Sequence, residues 1–86
     1  MFEVYLSNNA KRFLDRSEIK DRIIHAINVL ETSPVPAKHF DVAKIAGREG
    51  TYRIRISNVR IIYRVYWRDR IIHVLKIDTR DETTYL

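Results

Sequence analysis

Four arginines lie within a short stretch of the second half of the chain, at positions 53, 55, 60 and 64. A guanidinium group stays charged at every physiological pH and binds phosphate through two parallel hydrogen bonds. Because four such cations on one face repel one another, their clustering indicates a polyphosphate ligand such as a nucleic acid. The alternative is that these are solvated arginines on exposed strand faces, as in heat-adapted proteins.

The overall charge supports an anionic partner. The chain carries 16 Lys and Arg against 11 Asp and Glu, which gives a net charge of +5, and its pI is near 9.8. Counted from the sequence, residues 1–50 hold eight basic and seven acidic side chains, whereas residues 51–86 hold eight basic and four acidic. The positive excess therefore lies in the segment that contains the clustered arginines.

Aromatic residues alternate with these arginines. By strand alternation, Tyr52, Tyr63 and Trp67 fall on the side opposite the arginines, which favours core packing for all three. Tyr66 falls on the same side as Arg64, where a phenol ring could stack on a base.

The three histidines do not suggest a site. His25, His39 and His73 lack the spacing of metal ligands, and none has a Ser, Cys or Asp placed to form a triad. His73 lies within an apolar run and is interpreted as a packed or partly buried structural residue. We therefore expect no metal and no cofactor.

Two helices precede the arginine-rich segment. Ser7 after the strand-like run 2–6 is a candidate N-cap for a first helix, and Ser17 is a candidate N-cap for a second. Ile19, Ile23, Ile27 and Leu30 recur at helical spacing, so the second helix is amphipathic. The prolines within 32–36 end it, because neither has a backbone N–H.

The remaining chain has the alternation of β-strands. A minor segment spans 42–45, and stronger patterns span 51–57, 59–67 and 71–77, the last apolar on nearly every side as in a central strand. The predicted fold is α+β, in the order β-α-α-β-β-β, with an antiparallel sheet and a two-helix hairpin packed on one face.

Length and composition restrict the setting. Eighty-six residues suffice for a single domain, 1–86. There is no Cys, no signal-peptide pattern and no apolar run long enough to cross a bilayer. We expect a cytoplasmic protein that does not associate with membranes.

The sequence resembles the RelE/ParE toxin superfamily. The resemblance rests on the runs KIAG at 44–47, YRIRI at 52–56 and VRIIYRV at 59–65, together with the order of the elements. The stretch 35–77 is most similar to archaeal RelE members. The resemblance implies a toxin of a type II toxin-antitoxin system that cleaves messenger RNA in the ribosomal A site, without metal, by attack of the 2′-hydroxyl on the adjacent phosphate.

By the same resemblance, specific residues receive roles. Arg60 and Arg80 would clamp the scissile phosphate, Arg53 would hold the neighbouring backbone, and Tyr85 would stack on a base or transfer a proton. Arg55 occupies a position where bacterial members have Lys, and an arginine can hardly act as a base. The catalytic set is thus Arg53, Arg55, Arg60, Arg80 and Tyr85, with Arg64, Tyr66 and Lys44 as further RNA-binding residues.

Several alternatives stay open. The general base could be Tyr85, Asp81 or Glu82. The implied partners are a RelB-like antitoxin, the ribosome and mRNA. ParE-type members share the frame but bind DNA gyrase without enzymatic activity, and an inactive antitoxin-binding relative is the third possibility.

Overall fold

A computed structural model describes residues 1–79 of the chain. In chain order the elements are β1 (Glu3–Leu6), α1 (Asn8–Arg16), α2 (Lys20–Leu30), β2 (Asp41–Lys44), β3 (Thr51–Ile56), β4 (Val59–Tyr66) and β5 (Ile71–Thr79). The α+β class and the pair of helices after the first strand are as the sequence predicts. Neither helix is long and apolar enough to span a membrane, a statement that covers residues 1–79.

The two helices begin in different ways. The hydroxyl of Ser7 accepts a hydrogen bond from the backbone N–H of Ala10 at 3.1 Å, which is the predicted N-cap of α1. Ser17 does not cap α2 as predicted. It ends α1, and its hydroxyl accepts from the N–H of Ile19 at 3.2 Å, one residue before α2 starts. The link of three residues, 17–19, leaves α2 without a side-chain cap.

The five strands form one sheet in the order β1-β5-β4-β3-β2. Strands β2 to β5 pair antiparallel, as predicted, but β1 pairs parallel with β5, so the sheet is mixed. The minor segment predicted at 42–45 is the edge strand β2. Strand β5 lies inside the sheet, between β1 and β4, as its apolar pattern predicts.

Strand β5 contains a bulge at Leu75. Ile62 pairs with Lys76 and Tyr63 with Val74, so Leu75 has no partner in β4. The start of α1 holds this irregular backbone, because the Ser7 hydroxyl donates to the Leu75 carbonyl at 2.8 Å. The bulge resets the alternation of side chains along β5.

The core lies between the helices and one face of the sheet. Ile23, Ala26 and Leu30 of α2 are fully buried against alternate residues of β3, β4 and β5. Tyr63 is fully buried and Tyr52 packs against the core, both as predicted. Trp67 contradicts its prediction, since 53% of it is exposed. Strand β4 ends at Tyr66, so Trp67 lies in the following turn and contacts the ring of Phe2 edge-on at 5.7 Å.

Candidate nucleic-acid interface

The side chains that alternate with the core residues form the open face of the sheet, away from the helices. On β3 and β4 this face carries Arg53, Arg55, Arg60 and Arg64, as the alternation predicts. We call it the arginine face. Its backbone is fixed by the hydrogen bonds of interior strands, so the guanidinium groups project from a rigid support.

The strand register brings three of these arginines together. Arg55 lies directly opposite Arg60, and Arg53 lies opposite Ile62, the next outward residue of β4. Like charges in directly opposed positions destabilise a sheet unless counterions or ligands compensate them. Arg64 lies opposite Thr51, on the far side of Ile62, and is therefore separated from the other three.

Two aspartates flank the opposed pair. Asp41 of β2 is in register with Arg55, and Asp78 of β5 is in register with Arg60. Asp41, Arg55, Arg60 and Asp78 thus form one row across four strands, which we call the acid-flanked row. The sequence pattern predicts no role for either aspartate.

The contact between Arg60 and Asp78 is bidentate. Arg60 Nε donates to Asp78 Oδ1 at 3.0 Å, and Arg60 Nη2 donates to Asp78 Oδ2 at 2.9 Å. Lys76 Nζ approaches the same Oδ2 at 3.5 Å. Asp78 is the less exposed partner, with 22% of its side chain accessible against 38% for Arg60. This carboxylate therefore faces two cations.

The contacts of Asp41 are looser. Its carboxylate lies 3.7 Å from Arg53 Nη1 and 3.6 Å from Arg55 Nη1, which is longer than a good hydrogen bond. Within residues 1–79, Arg53 Nη1 and Arg55 Nε are buried and have no hydrogen-bond partner. Buried donors without acceptors are unfavourable in the isolated protein.

The far part of the arginine face combines a cation with an aromatic ring. The guanidinium carbon of Arg64 lies 4.9 Å from the ring centre of Tyr66, a cation–π contact, and 38% of Tyr66 is exposed. His73 is half-buried beside them, in register with Arg64. Arg64 and Tyr66 together present a positive charge and a flat aromatic surface to solvent.

Lys44 does not join the arginines. It pairs with Tyr52 on edge strand β2, and that register position belongs to the helix side of the sheet. Arg80 and Tyr85, two of the predicted catalytic residues, lie outside the described residues, as do Asp81 and Glu82. The structure thus brings together Arg53, Arg55 and Arg60 from the predicted set, with Arg64 and Tyr66 nearby.

Two further concave regions border the sheet. A cleft of about 450 Å³ lies where β3 ends, and Arg55 and Asp41 form part of its wall with Arg22, His25, His39 and Phe40. A groove of about 600 Å³ lies between the helix link and the end of β5. Across residues 1–79, no three His, Cys, Asp or Glu side chains gather as metal ligands would.

The two aspartates could not have been found from local sequence. Asp41 precedes the weakest strand pattern of the chain, and Asp78 follows an apolar run in which alternation carries no information. A contact between residues 60 and 78 depends on the register of two strands and on the bulge. For Asp78, the one indication in the sequence is that acidic residues are few in the basic segment 51–86.

Comparison with known proteins shows the family of this chain. The family profile described as "ParE toxin of type II toxin-antitoxin system, parDE" matches residues 4–83. The chain belongs to the RelE/ParE toxin family. Among curated proteins, the toxin RelE1 of Methanocaldococcus jannaschii is 42% identical over 55 residues, which is 64% of this chain and 61% of that protein. The chain therefore matches less than two thirds of that relative's length.

Solved structures of this toxin family share the fold. The archaeal RelE-RelB complex from Pyrococcus horikoshii contains a chain with a TM-score of 0.84 and 30% identity, covering 94% of this chain and 97% of that one. The RelB-RelE complex from Methanococcus jannaschii gives 0.76 at 24% identity, covering 94% of each chain. The intact E. coli RelBE complex gives 0.77 at 15% identity, covering 95% and 100%. The last two show the fold alone.

Proposed function

We propose that this RelE-family toxin is a ribosome-dependent endoribonuclease that cleaves mRNA in the A site. The observation that supports this proposal is the cluster of Arg53, Arg55 and Arg60 on a rigid strand pair, with two buried guanidinium N–H groups that have no acceptor within residues 1–79. A site of this kind binds the phosphates of an extended RNA strand.

The proposed reaction is attack of a 2′-hydroxyl on the adjacent phosphorus, which releases the 5′-oxygen of the next nucleotide. The five-coordinate transition state carries two negative charges, so preorganised cations lower its free energy. Arg60 and Arg80 are proposed to clamp this phosphate. Arg53, only 18% of whose side chain is exposed, would hold the neighbouring backbone from a fixed position.

A general base and a general acid are also needed. Arg55 is excluded as the base, because a guanidinium does not lose its proton near neutral pH. Tyr85, Asp81 and Glu82 are the candidates. Arg55 is then proposed to contribute charge alone, from its position opposite Arg60.

The RNA is proposed to extend from the acid-flanked row toward Arg64 and Tyr66. The ring of Tyr66 would stack on a base while Arg64 contacts the backbone. Lys44 lies on the helix side of edge strand β2. It would therefore reach only mRNA or ribosomal RNA that passes around that edge of the sheet.

The proposed regulatory partner is a RelB-like antitoxin. The similar chains from Pyrococcus horikoshii and Methanococcus jannaschii were solved as complexes of RelE with RelB. An acidic segment would complement the positive charge of this toxin, and its apolar residues would cover exposed apolar surface. Such a toxin would act in the cytoplasm, where translating ribosomes are found.

A second candidate function is binding of DNA gyrase without catalysis. It is favoured by the family profile, which is that of ParE toxins and matches residues 4–83. The arginine face would then bind an acidic protein surface instead of RNA.

One experiment separates the two functions. Transcript ends are mapped in a translating extract with and without the purified protein, and again with puromycin-treated, non-translating ribosomes. Cuts at fixed in-frame codon positions that require translation support the endoribonuclease. Unbroken transcripts, combined with inhibition of DNA supercoiling by gyrase, support the second function.

A further inference from the structure

Asp78 holds the guanidinium of Arg60 in a defined plane. Both carboxylate oxygens are used, with Nε to Oδ1 at 3.0 Å and Nη2 to Oδ2 at 2.9 Å. A bidentate contact of this type restricts rotation of the arginine side chain, because displacement of either nitrogen breaks one of two parallel bonds. Among residues 1–79, Arg55 has no comparable contact, since its separation from Asp41 is 3.6 Å.

The bulge in β5 makes this contact possible. Before the bulge, Ile72 and Val74 face the core and His73 faces the opposite side. If the alternation continued unchanged past Leu75, residue 78 would point into the core. The extra residue reverses the alternation, so that Ile77 is buried and Asp78 lies in register with Arg60.

The start of α1 fixes the bulge from outside the sheet. The N–H of Ser7 donates to the Val74 carbonyl at 3.0 Å, and its hydroxyl donates to the Leu75 carbonyl at 2.8 Å. Asn9 Oδ1 accepts from the N–H of Ile77 at 3.4 Å. The backbone on both sides of the bulge is therefore held by a helix N-terminus, and the direction of Asp78 is built into the fold.

We propose that Asp78 is a positioning residue that orients Arg60 for the phosphate in the transition state. This inference rests on the proposed endoribonuclease function. A preoriented guanidinium stabilises developing charge without reorganising during the reaction. The same carboxylate places a negative charge beside the RNA, which weakens binding of the substrate in its ground state.

Asp78 is expected to favour catalysis by orienting Arg60 and to oppose RNA binding through its charge. Kinetics separates these two effects, because the first changes kcat and the second changes KM. In Asp78→Asn the side chain keeps its shape but loses its charge and one of its two acceptors. We expect kcat for mRNA cleavage to fall by about tenfold, because one of the two parallel hydrogen bonds that orient Arg60 is lost. We expect KM to fall by about two- to fivefold, because a negative charge is removed from the RNA-binding face.

Asp41→Asn is the matched control. It removes the same charge from the other end of the acid-flanked row, where contacts to arginine exceed 3.5 Å and 55% of the aspartate side chain is exposed. Like Asp78→Asn, it should lower KM, but it should leave kcat within about twofold of the wild type.

Asp78→Glu is the second variant, since it keeps the charge but displaces the carboxylate by one methylene. It should lower kcat and leave KM unchanged.

A spectroscopic measurement tests the contact without relying on cleavage. In ¹⁵N NMR spectra of the folded toxin, the Nε–H of Arg60 should exchange slowly with solvent in the wild type and rapidly in Asp78→Ala, which removes both acceptors. Thermal unfolding of each variant identifies any loss of folding. If Asp78→Asn leaves kcat unchanged, or if Asp78→Ala leaves the Nε–H exchange unchanged, Asp78 does not position Arg60.

If the protein is not an endoribonuclease, the measurements give a different result from the one that overturns the inference about Asp78 alone. A wild-type protein that leaves translated transcripts intact contradicts the endoribonuclease proposal. The inference about Asp78 is then overturned as a statement about catalysis, even if the Nε–H exchange reports the contact. Cleavage by the wild type, with equal kcat in the wild type and Asp78→Asn, overturns the inference alone.

Discussion

The two faces of strands β3 and β4 are built from alternate residues of the same segments, yet they have different physical tasks. On the helix side, Ile54 and Ile61 are in register and fully buried. On the other side, Arg55 and Arg60 are in register and about one third exposed. Substitutions on the first face should therefore change stability, and substitutions on the second should change activity.

The largest effect is expected from Ile61→Ala, on the core face. Removal of a fully buried isoleucine side chain loses apolar burial and leaves a cavity, so the free energy of unfolding should fall by about 2–5 kcal/mol. That is a large fraction of the stability of a small domain. Denaturant unfolding measures the loss. Cleavage per folded molecule should match the wild type, and a reduced value would show that the two faces are coupled.

On the arginine face, Arg60→Ala should reduce cleavage by about two to three powers of ten, the loss typical of one preorganised transition-state donor. Arg80→Ala is expected to have an effect of the same size. Neither substitution should unfold the protein, because Arg60 projects from the open face and leaves no core cavity. Single-turnover cleavage and thermal unfolding are measured on the same samples. Full cleavage by a folded double variant would contradict the assignment of the site.

The separation of faces was predictable from the sequence because it depends on local alternation. The pattern of 51–57 and 59–67 placed Ile54, Ile61 and Tyr63 on one side and the arginines on the other, and the structure agrees. The amphipathic face of α2 was predictable for the same reason. In these segments each residue type agrees with the environment that the fold supplies.

Features that depend on distant pairings were not predictable. The apolar character of β5 on both sides concealed its register, so neither the bulge at Leu75 nor the position of Asp78 had a signal. The parallel pairing of β1 with β5 joins residues about seventy positions apart, and local alternation does not report it. Trp67 was misplaced because β4 ends one residue earlier than its pattern suggests. The roles of Arg80 and Tyr85 remain predictions.

A smaller effect is expected at Tyr63, a polar group on the core face. Its hydroxyl donates to the carbonyl of Pro34 at 2.7 Å, so Tyr63→Phe should cost about 0.5–1.5 kcal/mol in the free energy of unfolding. Burial, with a smaller contribution from Tyr52, raises the pKa of the Tyr63 phenol above its ordinary value of 10.0.

The raised pKa gives this residue a characteristic pH dependence. Above about pH 10 the unfolded chain loses the phenolic proton while the folded chain keeps it, so stability falls as pH rises. The stabilisation is fully present below pH 10. Tyr63→Phe should therefore show a shallower loss of stability above pH 10 than the wild type, measured by urea unfolding from pH 8 to 11. Parallel curves would show that Tyr63 ionises equally in both states.

The smallest effects are expected at the margin of the site, where Arg64 and Lys44 form a matched pair of exposed cations on opposite sides of the sheet. Arg64→Ala removes a charge and its cation–π contact with Tyr66 from the arginine face. It should weaken RNA binding about three- to tenfold and reduce the dependence of binding on salt.

Lys44→Ala removes the same charge from the helix side of β2, in register with Tyr52. Because this position lies on the opposite side of the sheet from the arginine face, the substitution should change binding by less than about twofold. Fluorescence anisotropy with a labelled single-stranded RNA at several salt concentrations measures both variants. Equal losses in the two would mean that RNA wraps around the β2 edge, and that the arginine face is only part of the interface.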